Sequence, residues 1–177
     1  MSKQEPPPPT VMVTVYGKPK QKKTSDALAA FPGALFLGVP SAITLVAQNE
    51  LGFNPSVHPD SPKNLTELVS MLKSFAEIKD TTNYDAVVVD DISHLCQCSM
   101  LGWHESSPAG RSGKKDKFYP YQQLNQHLLE IAHASRYLGV HLLMNFHERP
   151  PGTNADGRFC PGGPDVPSRN QVETLPS

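Results

Sequence analysis

The run Ala86-Val87-Val88-Val89, followed at once by Asp90 and Asp91, constrains this chain more than any other stretch. Four consecutive apolar residues leave no face for water, so residues 84–91 read as a strand buried on both sides. Such strands belong to parallel sheets covered by helices on both faces. The expected fold is therefore α/β, a three-layer α/β/α sandwich around a mainly parallel sheet. The same run delivers two carboxylates at the carboxyl end of a strand, the edge at which open α/β sheets bind ligands. A carboxylate there holds Mg²⁺ directly or through water, and a second can orient an attacking water. Asp90 is the candidate metal ligand and Asp91 the candidate water-positioning group. The competing reading is an ordinary strand end that turns through two aspartates.

Residues 11–31, VMVTVYGKPKQKKTSDALAAF, add a second constraint. The β-branched apolar run reads as a buried strand that stops at Gly17. A lysine-rich loop follows, then Lys23-Thr24-Ser25, then a short helix that Pro32 ends. Strand, glycine, loop, Lys-Thr, helix is the layout of a phosphate-binding loop. Backbone N–H groups of such a loop point at phosphate, a lysine ammonium adds a point charge, and a hydroxyl ligates Mg²⁺. Gly17, Lys23 and Thr24 fit the pattern G-x-x-x-x-G-K-[ST], whereas Lys22 stands where a second glycine is expected. The candidate phosphate contacts are Gly17, Lys18, Lys20, Lys22, Lys23, Thr24 and Ser25, with Thr24 also a metal ligand. A solvated basic turn between a strand and a helix is the alternative.

The remaining segments supply layers. Residues 34–39 read as a second buried strand closed by Pro40, residues 41–53 as either a short helix or a wandering loop, and residues 54–63 as a proline-punctuated turn. Residues 64–78 form a helix with Leu65, Leu68, Val69, Leu72, Phe75 and Ala76 on one face, opened by the capping-box pair Asn64 and Glu67. Residues 93–117 read as a long loop carrying Trp103, Arg111, Lys114, Lys115 and Lys117. An aromatic ring and cations can stack on bases and neutralise phosphates of single-stranded nucleic acid, and a solvated mobile loop is the equal alternative. His94, Cys96, Cys98 and His104 lie in this loop, but Cys-x-Cys lacks the two-residue spacer of zinc sites. Residues 121–138 form a second long helix with His127 and His133 off its apolar stripe, where they are expected to face solvent. Residues 140–146 form a fourth strand ending in Asn145-Phe146-His147, polar groups suited to sensing a terminal phosphate.

A net charge of −1 announces no global affinity for nucleic acid, so any basic surface is local. Three cysteines make no disulfide framework and suit a reducing cytoplasm. No run is long enough to span a bilayer, so no membrane partner is expected. The expected organisation is a Pro-rich arm over residues 1–10, one domain over 11–148, and a Pro/Gly-rich irregular arm over 149–177.

The order of these elements resembles the RecA-like P-loop NTPases, especially the short ATPases that phages encode for recombination. The resemblance covers residues 11–148. It implies ATP and Mg²⁺ as cofactors, with Gly17, Lys23 and Thr24 at the Walker A positions and Asp90 at the Walker B aspartate. Asn145 or His147 would take the sensor position. The fourth strand would lie between the first and third, with right-handed crossovers. Single-stranded DNA would approach the loops after the third and fourth strands, a homo-oligomer is admitted, and a phage protein would work in the host cytoplasm. Two departures stand out: Lys22 replaces a glycine, and Val39-Pro40-Ser41 stands where such enzymes keep a glutamate. A degenerate, non-hydrolysing relative with an assembly role therefore remains the alternative function, beside a plain nucleic-acid binder.

Overall fold

The structure is a computed structural model that describes residues 10–18, 21–78, 83–110, 113–149, 152–153, 159–160, 163–164 and 166. The main elements are β1 (Met12–Gly17), α1 (Lys23–Ala30), β2 (Leu35–Gly38), α2 (Pro40–Val46), β3 (Ser56–Val57), α3 (Leu65–Ile78), β4 (Ala86–Asp90), α4 (Ile92–Glu105), α5 (Tyr119–Ser135) and β5 (His141–Arg149). Five strands pair in the order β1-β5-β4-β2-β3, and every pairing along that path is parallel. The strand after α5 thus lies between the first strand and the aspartate-bearing one, as the resemblance implies.

Alternation along the strands builds the three layers, because successive side chains point to opposite faces. On β4, Val87 and Val89 join a core with α3, α4 and α5, to which β2 adds Leu35 and Leu37. Ala86, Val88 and Phe36 point the other way, into a core with Ala27 and Leu28 of α1 and Ile43 of α2. All four apolar β4 residues are fully buried, which accounts for the unbroken apolar run.

Half of the capping box at α3 forms as its spacing predicts, and the return bond goes one residue further back, to Lys63. Asn64 Oδ1 accepts from the Glu67 N–H at 2.9 Å, and Glu67 Oε2 accepts from the Lys63 N–H at 2.8 Å. Asn64→Ala is expected to lower stability by about 1 kcal/mol, read as a shifted urea midpoint with unchanged slope.

Three expectations need correction. β1 is not a buried strand: it stands at the end of the parallel strand order, and Val11, Met12, Val13 and Tyr16 are exposed. Most of the long loop is helix, since α4 occupies residues 92–105. Asp91 caps it, and Ile92, Leu95, Cys96, Ser99 and Met100 are its buried stripe. Among the described residues of that stretch, 106–110 and 113–118 lie outside the helix, and an antiparallel bridge joins Ala109 and Lys115. The choice left open over residues 41–53 resolves as helix: α2 runs into a π-helical turn, Ala47–Leu51, that ends at Gly52 with φ 72°. His127 is half-buried, with Nε2 3.0 Å from the Thr66 hydroxyl, whereas His133 is exposed.

Beyond β5 the described residues form short pairings. β6 (Gly152–Thr153) pairs with β7 (Phe159–Cys160), and β8 (Gly163–Pro164) pairs antiparallel with the end of β5. Val166 packs on the first core. No helix among the described residues is long and apolar enough to cross a membrane.

Candidate functional site

The carboxyl ends of β1, β4 and β5 converge, and the α1 N-terminus opens beside them. Thr24 Oγ1 of α1 donates to Asp90 Oδ2 at the end of β4 across 2.5 Å. Asn145 of β5, fully buried, donates from Nδ2 to the other Asp90 oxygen at 3.4 Å. The Asn145 Oδ1 atom is buried without a hydrogen-bond partner among the described residues. An orphaned buried acceptor is costly, and its place beside Asp90 marks a spot for a donor or a cation.

The lysine loop closes over the same place. Lys23 Nζ folds back on its own loop, donating to the Gly17 carbonyl at 2.9 Å and to the Lys18 carbonyl at 3.0 Å. The Lys18 N–H donates to Gln21 Oε1 at 2.8 Å, which tightens the turn from inside. No side chain caps α1. The helix end is left with its partial positive charge facing the cleft, the arrangement that favours an anion.

Lys22 holds the left-handed backbone, φ 57° and ψ 19°. This explains the glycine of the general pattern: the chain must turn left-handed there, and glycine does so freely. A lysine does so at a cost of about 1–2 kcal/mol. Its ammonium lies 3.8 Å from Glu50, a solvent-exposed pair that contributes little. Lys22→Gly is expected to stabilise the fold by up to about 1 kcal/mol, since glycine's greater chain entropy offsets part of the relief. Affinity for phosphate at the α1 N-terminus is expected to hold or rise. A fall in affinity would show that the Lys22 ammonium itself holds phosphate.

Asp91 is committed in two directions. Oδ1 accepts from the Ser93 and His94 N–H groups at 2.7 and 3.4 Å, capping α4. Oδ2 lies 2.7 Å from His147 Nε2. Burial pushes the Asp91 carboxyl above its ordinary range, outweighing the lowering by His147 and the two N–H groups. The His147 backbone N–H donates to the Ser93 hydroxyl at 3.0 Å, which fixes the main chain that carries the ring.

Two lobes meet here. A cavity of about 410 Å³ is lined by Gln21, Lys22, Lys23, Ser25 and Glu50, and one of about 350 Å³ opens toward Gly38, Ile43, Ser61 and Leu95. Thr24, Asp90 and His147 line both.

The AAA domain family AAA_24 matches residues 10–157. The chain belongs to this family. With the strand order β1-β5-β4-β2, this AAA domain has the RecA-like P-loop NTPase core. The crystal structure of the RadB recombinase is similar at 16% identity with a TM-score of 0.46, over 80% of this chain and 63% of that one. The AAA domain here therefore spans less than two thirds of that structure's length. No curated protein matches the chain.

Thus Gly17, Lys18, Lys22, Lys23, Thr24, Ser25, Asp90, Asp91, Asn145 and His147 come together at one edge of the sheet, and Lys20 lies outside the described residues. The proposed nucleic-acid residues do not form one loop. Trp103 sits on α4, packed on the first core, its ring 4.8 Å from that of His127. Lys115 donates to the His104 and Glu105 carbonyls at 3.3 and 2.8 Å, closing the α4 C-terminus. Lys114 and Lys117 are exposed, and Arg111 lies outside the described residues. Sequence reasoning missed Glu50, whose Oε2 accepts from the buried Ser25 hydroxyl at 2.7 Å and which lines the phosphate-side lobe. No local motif marks it, because the π-helical turn after α2 brings it there.

Proposed function

We propose that this AAA domain binds a nucleoside triphosphate with Mg²⁺, hydrolyses it, and acts on single-stranded DNA. The observation that carries the reading is the 2.5 Å contact between Thr24 and Asp90. These two residues are 66 positions apart and meet at the mouth of a lysine-bearing loop, which a solvated basic turn would not require.

The residues fit the metal. Thr24 supplies a hydroxyl, Asp90 a carboxylate, and the orphaned Asn145 Oδ1 lies behind them, an all-oxygen set suited to a hard cation. Thr24 and Asp90 would hold Mg²⁺, which when bound neutralises charge on the outer phosphates. Lys23 moves its ammonium from the Gly17 and Lys18 carbonyls to phosphate, exchanging neutral acceptors for charged ones. Loop and α1 N–H groups bind the remaining phosphate oxygens. Asn145 orients Asp90 from the buried side, and His147, its ring held by Asp91 and its backbone by Ser93, presents its half-exposed ring to the cleft. His147 is therefore the better terminal-phosphate sensor of the two candidates, and Asp91 acts by holding it.

A second reading, a nucleotide binder with slow turnover, is favoured by the double commitment of Asp91 to α4 and His147. Titration with a fluorescent ATP analogue, with and without Mg²⁺, followed by phosphate release, separates the two. Mg²⁺ is expected to tighten binding to the wild type and to leave Asp90→Asn unchanged. Equal Mg²⁺ dependence in both proteins would remove Asp90 from the metal site.

A further inference from the structure

The lobe on the phosphate side has two chemically different ends. Thr24 and Ser25 are adjacent in α1, so their side chains leave the helix about 100° apart. Thr24 turns to Asp90, and the buried Ser25 hydroxyl turns to Glu50, donating to Oε2 at 2.7 Å. Glu50 Oε1 has no hydrogen-bond partner among the described residues. The Lys22 ammonium stands 3.8 Å from Oε2 on a side chain 70% exposed, and it offsets little of the charge. A carboxylate over an anion site opposes phosphate by like charge. An acceptor-only group with one oxygen free instead favours a neutral part of the ligand that carries hydroxyl donors. Val46, half-buried against the second core, lines the same lobe with an apolar surface. Carboxylate and apolar wall together suit a sugar, which offers hydroxyl groups and C–H groups. The backbone is shaped to bring Glu50 here. The π-helical turn Ala47–Leu51 that carries it is a rare geometry that recurs at functional sites. The turn packs on α1, and Gln48 Nε2 donates to Asn54 Oδ1 at 2.8 Å beyond its end.

We propose that Glu50 reads the sugar of the bound nucleotide, accepting a ribose hydroxyl through Oε1, and so selects ribonucleoside over deoxyribonucleoside triphosphates. The proposal rests on the reading of this lobe as the triphosphate site, and it adds the residue that sets which sugar enters. Ser25 fixes one carboxylate oxygen and leaves the other for the ligand. Lys23, Thr24 and Asp90 serve phosphate and metal, so that end of the lobe is indifferent to the sugar. A hydroxyl removed from the sugar leaves Oε1 without its donor, and the loss falls on sugar recognition alone.

The test is calorimetric titration of the whole chain, with Mg²⁺ present, by unlabelled ATP, 2′-deoxy-ATP, 3′-deoxy-ATP and inorganic tripolyphosphate. The wild type is expected to bind ATP about tenfold or more tightly than at least one of the two deoxy forms. Glu50→Ala is expected to remove that preference, with ATP falling to the affinity of the deoxy form and tripolyphosphate binding as before or more tightly. Glu50 is exposed, so the variant is expected to fold, which urea denaturation checks. Equal affinity of the wild type for ATP and both deoxy forms overturns the proposal, and that comparison needs no variant. An unchanged preference in folded Glu50→Ala overturns it too. So does tighter ATP binding by Glu50→Ala, which would show that the carboxylate merely occupies the empty phosphate site. Tripolyphosphate binding without any sugar preference overturns the sugar reading alone, whereas no binding of any of these ligands overturns the triphosphate reading with it.

Discussion

Replacing Lys23 with alanine is expected to weaken nucleotide binding by a factor of about one hundred or more, with little change in stability. The loss follows from the exchange that binding imposes on this side chain. In the structure the ammonium donates to two backbone carbonyls, Gly17 and Lys18, both neutral acceptors. With phosphate present it donates to charged oxygens, and hydrogen bonds to charged groups contribute about 1.5–3 kcal/mol each. Two such contacts amount to more than two decades in affinity. Folding depends on the residue much less, because the β1 pairing with β5 and the burial of Ala27 and Leu28 hold loop and helix whatever stands at position 23. The measurement is a titration of both proteins with a fluorescent ATP analogue, beside a urea denaturation of each. Equal affinities would end the nucleotide reading, and the cleft would then be no more than a charged notch in an α/β domain.

What was legible in the sequence was local. The four apolar residues of β4 announce double burial because each alternate side chain meets a helix, Val87 and Val89 on one face and Ala86 and Val88 on the other. The phosphate loop is a contiguous motif, and its one defect, Lys22, marks the residue with left-handed backbone. Helix α4 was missed for a reason that can be stated. Its buried stripe uses Cys96 and Ser99 between Leu95 and Met100, so a count of aliphatic residues sees gaps where the helix sees small buried groups. Asp91 followed by Ile92, Leu95, Ser99 and Trp103 at helical spacing was the available signal. Ser99 is buried because its hydroxyl accepts the Leu65 N–H at 2.7 Å, ordering the start of α3, a contact between residues 34 positions apart. The Glu50–Ser25 and Asp91–His147 contacts are likewise products of topology. They appear only once β5 is inserted between β1 and β4 and the π-helical turn folds back on α1.

Gly38→Ala, one added methyl group, is expected to disable this centre without touching any of its polar side chains. Gly38 ends β2, paired with Asp90 on β4. A Cβ placed there would stand 2.2 Å from the Asp90 backbone oxygen and 2.9 Å from Ile43 Cδ1. Neither neighbour yields cheaply. The oxygen is backbone at the end of β4, a strand paired on both sides, and Ile43 is buried in the second core. The strands must spread, which overpacking data place at about 3 kcal/mol. The spreading displaces Asp90, so the Thr24 contact at 2.5 Å and the Asn145 contact at 3.4 Å lengthen together. The variant should therefore lose the Mg²⁺ dependence of nucleotide binding even under conditions where it remains folded. Ser61 reports the displacement independently, since its hydroxyl bonds the Gly38 carbonyl and would lose that partner. Denaturation gives the stability term, and titration of the folded variant with and without Mg²⁺ gives the site term. A variant of wild-type stability with intact Mg²⁺ dependence would show that β2 and β4 do not meet at Gly38 and Asp90. The Thr24–Asp90 contact would then lose its support, because the same strand pairing fixes where Asp90 emerges.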